Sequence, residues 1–343
     1  MSQEVRCNNC FSIKKYPEKP EVLKQILITN LYRLNLRQRS RMDWHFLQSD
    51  LANGSYKSLA RAISLVENHA EGYLSFLQQL SPGNALITGI TGAPGSGKST
   101  LTDALIQQWV KQGKKVGVVC VDPSSPFHLG ALLGDRIRMS SWYNHPQVYI
   151  RSLATRGSLG GLHPQIIEIS AILQAAGFDE LLIETVGVGQ SEIEIAGLAD
   201  TTVVVMVPEA GDEVQTMKSG LMEIADIFVV NKCDRPDADL LVKYLRGMLA
   251  GSFVPGGWEI PILKTIAIQQ NGIIELVDAI RRHQQLQATP DRKKWLLAEK
   301  AYQLISRNRM KDINKQQLVA DIEEAMKRPG FNLFYFLSHQ FQS

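Results

Sequence analysis

The sequence predicts an α/β fold in which a mostly parallel sheet is flanked by helices. From Ala85 onward, short β-rich runs alternate with helical segments. Most of these runs are apolar along their length rather than at every second residue, which is typical of parallel strands covered on both faces. The length of 343 residues allows about two structural units, and a composition of 44% hydrophobic and 21% charged residues excludes a wholly disordered chain.

The elements follow one another in a simple order. Helical spacing over residues 57–80 predicts one N-terminal helix, ended by Ser81–Asn84. The predicted strands are Ala85–Thr91, Lys115–Asp122, Val148–Leu153, Glu180–Val186, Thr201–Pro208, Ile227–Asn231 and Ile262–Ile266. After Leu286 the pattern is wholly helical, through Trp295–Ile305 and Gln316–Met326. The core is therefore expected between a helical N-terminal extension and a helical C-terminal tail.

A glycine-rich loop follows the first predicted strand and precedes a helix predicted over Leu101–Lys111. Its residues are Gly92, Ala93, Pro94, Gly95, Ser96, Gly97, Lys98, Ser99 and Thr100. This is the phosphate-binding order G-x-x-x-x-G-K-S, in which backbone N–H groups and the helix N-terminus bind phosphate oxygens. Lys98 is expected to reach the β- and γ-phosphates, and the Ser99 hydroxyl to ligate Mg²⁺. The loop predicts a P-loop nucleoside triphosphatase.

A second motif indicates the base of the nucleotide. The predicted strand Ile227–Asn231 ends in Asn231-Lys232-Cys233-Asp234, an N-K-x-D pattern. The Asp234 carboxylate would accept hydrogen bonds from guanine N1–H and the 2-amino group, donors that adenine lacks. Lys232 would lie along the base plane, and Asn231 would tie this loop to the P-loop. GTP or GDP is the predicted ligand.

Four side chains are candidate magnesium ligands: Ser99, Asp122, Asp135 and Glu184. Asp122 and Glu184 stand at the carboxyl ends of predicted strands, where side chains of a parallel sheet point into the ligand crevice. In the alternative interpretation, Asp122 only caps a turn and Asp135 only begins a helix.

The predicted catalytic set is Lys98, Glu184 and Gly187. Glu184 takes the place of the Walker-B acid, and the backbone N–H of Gly187 can bond the γ-phosphate. Val188 follows Gly187, where Ras-type proteins have a water-positioning glutamine. We therefore expect slow intrinsic hydrolysis.

Five segments in order resemble the MeaB/ArgK family of SIMIBI-class P-loop GTPases, over about residues 46–290. They are the P-loop, Val121–Pro126, Leu132–Met139, Glu184–Glu192 and Gly211–Lys218. The resemblance implies a homodimeric GTPase that serves as a chaperone for an adenosylcobalamin-dependent acyl-CoA mutase of the methylmalonyl-CoA mutase type. It would gate cofactor loading and protect the mutase. Arg151–Gly161 resembles the family's switch segment, and Gly211–Lys218 an additional switch that faces the mutase.

Two features depart from the family pattern. Ile266 stands where serine is expected against guanine O6, so backbone N–H groups of Ile266, Ala267 and Ile268 should contact the base. We expect a lower affinity there, with specificity kept by Asp234. Residues 1–41 match no family segment. We expect them to pack little against the core, as an extension upstream of Met42, a mitochondrial-type presequence or a basic arm that contacts a partner.

Charge and domain organisation complete these expectations. Residues 1–42 hold nine basic and three acidic side chains, so the body is mildly acidic although the whole chain carries +3. The predicted regions are a weakly ordered basic arm (1–45), a helical N-terminal extension (46–84), a P-loop GTPase domain (85–286) and a helical C-terminal dimerisation tail (287–343). Cys7-x-x-Cys10 lacks a second metal-binding pair, so no zinc site is expected.

The sequence also indicates which classes of partner to expect. The apolar runs are far shorter than the ~20 residues of a membrane span, and no secretory signal begins the chain, so we expect a cytoplasmic protein without membrane or nucleic-acid partners. The alternatives are a GTPase or kinase linked to lysine, arginine and ornithine transport, and a nickel-insertion protein. The sequence has no H-R-D-type loop, which would favour a kinase, and no His- or Cys-rich segment, which would favour nickel insertion.

Overall fold

One seven-stranded sheet forms the centre of the protein. A computed structural model describes residues 44–122, 139–155, 162–186, 192–209, 221–250, 258–287, 290–310, 312–327 and 330–340. The strands are β1 (Leu86–Thr91), β2 (Val116–Asp122), β3 (Val148–Ala154), β4 (Glu180–Glu184), β5 (Thr201–Met206), β6 (Ile227–Val230) and β7 (Ile262–Lys264). Their order is β3-β2-β4-β1-β5-β6-β7, and every pair is parallel.

Helices cover both faces of this sheet. The helices are α1 (Trp44–Ala52), α2 (Tyr56–Glu67), α3 (Tyr73–Gln78), α4 (Lys98–Lys111), α5 (Ile166–Ala175), α6 (Leu221–Ile224), α7 (Ala238–Leu249), α8 (Ile273–Gln287), α9 (Pro290–Arg309), α10 (Lys315–Met326) and α11 (Leu333–Gln340). Short 3₁₀ turns lie at Ser140–Trp142, Glu192–Gly197 and Ala267–Gln269. The predicted α/β class with a parallel sheet between helices is confirmed.

The core has a layer on each side of the sheet because alternate strand residues point to opposite faces. Ile87 and Leu181 belong to the cluster that contains residues of α2, α3 and α5. Ile90 and Leu182 belong to the cluster that contains residues of α4 and α8. Two-sided burial explains why the strands are continuous apolar runs.

The single helix predicted over residues 57–80 is wrong, because the chain leaves the helix between α2 and α3. His69 and Gly72 have φ angles of 50° and 85°, in the left-handed region that ends helices. The indole of Trp44 donates to the carbonyl of Glu71 at 2.9 Å. A Cβ at Gly72 would lie 2.7 Å from Trp44 Nε1, so this tertiary contact both requires the glycine and fixes the break.

The last strand is also shorter than predicted, since β7 ends at Lys264 rather than Ile266. The Ile266 N–H donates to the Asn271 carbonyl at 3.1 Å, which turns the chain back on itself. The loop that follows β7 is therefore held beside the end of β6, at the same edge of the sheet as the P-loop.

The tail begins on the core and then becomes exposed. Leu296 of α9 is buried, and a Cβ at Gly197 would come within 2.9 Å of Glu299 Cγ. The α10 and α11 helices carry several exposed apolar side chains. In the described part of the chain, no helix combines the length and apolar character that a bilayer crossing needs. Cys7, Cys10 and the basic arm up to residue 43 lie outside the described residues.

Candidate functional site

The P-loop joins the central strand β1 to the N-terminus of α4. Gly92 and Gly97 have φ angles of 139° and 92°, which L-residues rarely adopt. A Cβ at Gly92 would lie 2.1 Å from the Val205 carbonyl oxygen, and one at Gly97 would lie 2.4 Å from Asn231 Nδ2. Close approach to β5 and to the N-K-x-D loop (Asn231–Asp234, here called the base loop) therefore requires glycine at both positions.

Lys98 lies within the curve of this loop. Its ammonium donates to the carbonyls of Gly92 at 2.7 Å and Ala93 at 3.1 Å, and the residue is only 8% exposed. The first-turn N–H groups of α4 and the helix dipole point the same way, so the loop concentrates positive potential in a small volume. Pro94 and Gly95 are exposed, whereas Ser96 and Ser99 are buried and Thr100 is half-buried.

Glu184 ends β4 and lies against α4. Its Oε1 accepts from the Ser99 hydroxyl at 2.7 Å, and its Oε2 accepts from the Thr102 hydroxyl at 3.0 Å. The register pairs Ile90 with Glu184, which places the carboxylate beside the start of the P-loop. Asp122 ends the neighbouring strand β2 and is 3% exposed. The structure therefore brings Ser99, Glu184 and the end of β2 to one edge of the sheet.

The oxygen donors at this edge fit a magnesium ion. Ser99, Asp122 and Glu184 are all buried and offer the hard oxygen ligands that Mg²⁺ prefers. Among the described residues, no group of three or more His, Cys, Asp or Glu could hold a metal ion by itself. Mg²⁺ that is carried by a nucleotide is usually bound by one or two carboxylates together with phosphate oxygens.

The N-K-x-D loop is tied directly to the P-loop. Asn231 Nδ2 donates to the Ser96 carbonyl at 3.0 Å, and the Lys232 ammonium donates to the Gly95 carbonyl at 2.7 Å. Asn231 Oδ1 accepts from Thr265 Oγ1 at 3.0 Å and from the Ala267 N–H at 3.1 Å. The predicted link from Asn231 to the P-loop is confirmed.

The remaining residues of this loop have distinct environments. Lys232 has a φ of 59°, and Asp234 is exposed at the mouth of the loop. The Cys233 thiol donates to the Val230 carbonyl at 2.8 Å, and burial raises the pKa of that thiol. Cys233 is thus a packing residue, next to Asp234, whose carboxylate is exposed.

The segment after β7 is the one expected to contact the base through backbone N–H groups. The N–H groups of Ile266 and Ala267 are bonded within the protein, to Asn271 and Asn231. Ile268 is 82% exposed. Contact between a base and the backbone N–H groups therefore stays a prediction, and the Ile268 N–H is the first candidate for it.

The base loop also contacts the start of an expected switch. Arg235 forms an ion pair with Glu209, and hydrogen bonding to this guanidinium lowers the pKa of the Glu209 carboxyl. Glu209 immediately precedes residues 210–220, which lie outside the described residues together with Asp135, Gly187 and residues 156–161. The roles expected of Asp135, Gly187 and Gly211–Lys218 therefore stay predictions from the sequence.

The flanks of residues 156–161 are held from both ends of the chain. Arg151 donates to Glu67 of α2 at 3.0 Å, and the Thr155 N–H donates to the Asp122 carbonyl at 3.1 Å. On the other flank, Arg307 of α9 donates to the Glu168 carboxylate and to the Pro164 carbonyl. The N-terminal extension and the tail thus both contact the chain beside the first expected switch.

Thr102 and Thr265 are two buried hydroxyls that the sequence patterns did not indicate. Each donates to a residue of the candidate site, Glu184 and Asn231 respectively. A signal for Thr102 exists, because it lies three residues after Ser99 and therefore on the same helix face. Thr265 follows β7 and has no comparable local signal.

A parallel sheet with a P-loop after its central strand, and an N-K-x-D loop bonded to that P-loop, defines a P-loop GTPase. A family model described as methylmalonyl-CoA mutase-associated GTPase MeaB matches residues 59–324. The chain belongs to this family, and it is a GTPase.

Similarity to known proteins agrees with this assignment. A candidate GTPase of Pyrococcus abyssi is 45% identical over 286 residues, covering 82% of this chain and 87% of that protein. The fused isobutyryl-CoA mutase of Geobacillus kaustophilus is 35% identical over 257 residues, covering 68% of this chain and 23% of the mutase. The crystal structure of an LAO/AO transport system kinase shares the fold, with a TM-score of 0.65, 24% identity, and coverage of 88% of this chain and 97% of that one.

Proposed function

We propose that this protein is a cytoplasmic, magnesium-dependent GTP switch that acts as a chaperone for an adenosylcobalamin-dependent acyl-CoA mutase. The observation that carries the nucleotide part is the bonding of Asn231 and Lys232 to the P-loop carbonyls of Ser96 and Gly95. One rigid unit then holds the phosphate-binding loop and the base-reading loop at a fixed separation. Such a unit binds a guanine nucleotide across both loops, with little ordering required on binding.

In this proposal the P-loop N–H groups and Lys98 bind the phosphates, and Asp234 reads the guanine edge. Asp234 is exposed and lies three residues after Asn231, so its carboxylate is accessible to a base. The aliphatic stem of Lys232 is held by its bond to Gly95, which lets it lie along one face of the ring. Specificity comes from the two donors of guanine that a carboxylate can accept.

Magnesium would be held by Ser99, with Glu184 and Asp122 close to its coordination shell. When bound, Mg²⁺ neutralises charge on the β- and γ-phosphates. Glu184 accepts a hydrogen bond from the Ser99 hydroxyl at 2.7 Å, so the hydrogen of that hydroxyl faces the carboxylate and its oxygen can serve as the ligand to the metal. Asp135 and Gly187 complete the predicted set, as a further metal-facing carboxylate and a γ-phosphate N–H donor.

The mutase part of the proposal has separate support. The family description names a methylmalonyl-CoA mutase, and one relative joins a region like this chain to an isobutyryl-CoA mutase. The ion pair of Arg235 with Glu209 joins the residue that follows the base loop to a residue just before the segment that the family resemblance assigns to mutase contact. A nucleotide-dependent change at the base loop would thereby reach the partner-facing segment.

We also propose that the chain is a homodimer through its tail. Helices α9 to α11 expose large apolar side chains that a monomer would leave in water. They include Trp295 at 55%, Leu297 at 57%, Tyr302 at 68%, Phe334 at 79% and Tyr335 at 66% exposed. Burial of these side chains between two copies would remove them from water.

The direct test is GTP turnover with and without a partner. The purified protein should hydrolyse GTP slowly alone, and at least about tenfold faster with an adenosylcobalamin-dependent acyl-CoA mutase from the same source. Lys98→Ala should remove both activities. Fast turnover alone that no such mutase alters would contradict a partner-gated chaperone, whereas binding of ATP in preference to GTP would contradict the nucleotide assignment.

A further inference from the structure

The buried hydroxyl of Thr102 has a role that none of the motifs assigns. Thr102 is fully buried, on the face of α4 that packs against β4. A helical threonine commonly donates to a carbonyl in the preceding turn, but this one donates to Glu184 Oε2 at 3.0 Å. A valine would fill the same space without a polar atom to satisfy, so the hydroxyl matters for the carboxylate it contacts.

The two oxygens of Glu184 have different partners. Oε2 accepts from Thr102, and Oε1 accepts from Ser99 at 2.7 Å. Ser99 and Thr102 are three residues apart on one helix, so together they hold the carboxylate in one rotation. With Oε2 held by Thr102, Oε1 faces Ser99, and the hydrogen of the Ser99 hydroxyl is directed toward Oε1.

We propose that Thr102 is a positioning residue for magnesium binding, acting through Glu184 on Ser99. Because the Ser99 hydroxyl donates to Glu184, its oxygen lone pairs point away from the carboxylate. Loss of the Thr102 hydroxyl removes the hydrogen bond to Oε2, so the carboxylate, and through it the Ser99 hydroxyl, is held less firmly. The inference rests on the proposed GTP and Mg²⁺ site and adds one residue to it.

The test measures magnesium dependence separately from nucleotide binding. Full-length wild type, Thr102→Val and Thr102→Ser are loaded with a fluorescent GDP analogue, and its release is followed from EDTA up to millimolar free Mg²⁺. A hydrogen bond to a charged group is worth about tenfold or more in an equilibrium constant. We therefore expect the Mg²⁺ concentration that half-maximally slows release to rise about tenfold in Thr102→Val. Release in EDTA should be unchanged, and Thr102→Ser should behave as wild type.

Thr202→Val is the matched control. Thr202 is also fully buried, on β5, and its hydroxyl has no hydrogen-bond partner among the described residues. The same change from hydroxyl to methyl should therefore leave the magnesium midpoint unaltered. If Thr102→Val does not fold, Thr102→Ala carries the same expectation.

Three results would overturn the inference. A wild-type magnesium midpoint in Thr102→Val would remove Thr102 from the site while leaving the proposed function intact. Equally faster release with and without Mg²⁺ would show a merely structural role. If wild-type release did not respond to Mg²⁺ at all, the proposed metal site would fail, and the role of Thr102 with it.

Discussion

Replacement of Asn231 by alanine should weaken both the fold and nucleotide binding, because three buried groups lose their partner. The side chain is 2% exposed and bonds Ser96, Thr265 and Ala267 at 3.0–3.1 Å. At about 1 kcal/mol for each hydrogen bond, Asn231→Ala should lower the free energy of unfolding by about 3 kcal/mol. That is a large part of the ~5–15 kcal/mol typical of a folded domain.

Urea unfolding measures this loss, and titration with a fluorescent GDP analogue measures its effect on the site. Separation of the base loop from the P-loop should reduce GDP affinity by at least about tenfold, since binding must then order both loops. Asn271→Ala is the control, because Asn271 is an exposed residue in the same region whose side-chain amide donates to Gln269 at 3.3 Å. Equal, small effects of the two substitutions would refute the claim that Asn231 joins the loops.

Three further predictions concern Arg307 of the tail, the half-buried Lys300 and Lys98 of the P-loop. Arg307→Ala should remove the hydrogen bond to the Glu168 carboxylate, which is 7% exposed, and lower the free energy of unfolding by about 2 kcal/mol. Lys327→Ala, at an exposed pair, should change it by less than about 0.5 kcal/mol in the same urea titration. Burial lowers the pKa of Lys300 below its usual 10.5. Between the folded and unfolded pKa values the unfolded chain therefore binds more protons, and wild-type stability rises with pH. Lys300→Met should raise the melting temperature near neutral pH, by an amount that shrinks as the pH approaches about 10, and a gain that stays constant with pH would refute this. Lys98→Ala should abolish nucleotide binding in equilibrium dialysis while circular dichroism stays unchanged, and wild-type affinity would exclude the P-loop assignment.

The fold was predictable because its signals are local. Most strands are short apolar runs, and two-sided burial makes such runs continuous. The P-loop and the N-K-x-D motif are each a continuous run of residues at the end of a predicted strand. Because the carboxyl ends of parallel strands lie at one edge of a sheet, the two motifs were expected to meet there. The link from Asn231 to Ser96 joins residues 135 apart. It was predicted from the usual role of the asparagine in an N-K-x-D motif and not from hydrophobic periodicity.

Features that depend on tertiary contacts were not predictable. The break between α2 and α3 rests on Trp44 reaching the Glu71 carbonyl, which helical periodicity does not reveal. Thr102 meets a carboxylate 82 residues away, and only the fold shows that the next turn of α4 faces β4. The contact of Arg307 with Glu168 likewise joins residues 139 apart.

Asp234 is proposed to read the guanine edge, and competition between guanine and xanthine nucleotides measures that role. Wild type should prefer GTP over xanthosine triphosphate. Asp234→Asn should reverse that preference, because the amide can donate to the 2-oxo group of xanthine but cannot accept from the guanine 2-amino group as well as N1–H. With two charge-assisted bonds altered, GTP affinity should fall by about a thousandfold. Asp237→Asn, at a nearby exposed residue with a φ of 65° that asparagine tolerates, should keep the wild-type preference. An Asp234→Asn protein that still selects GTP would contradict the account.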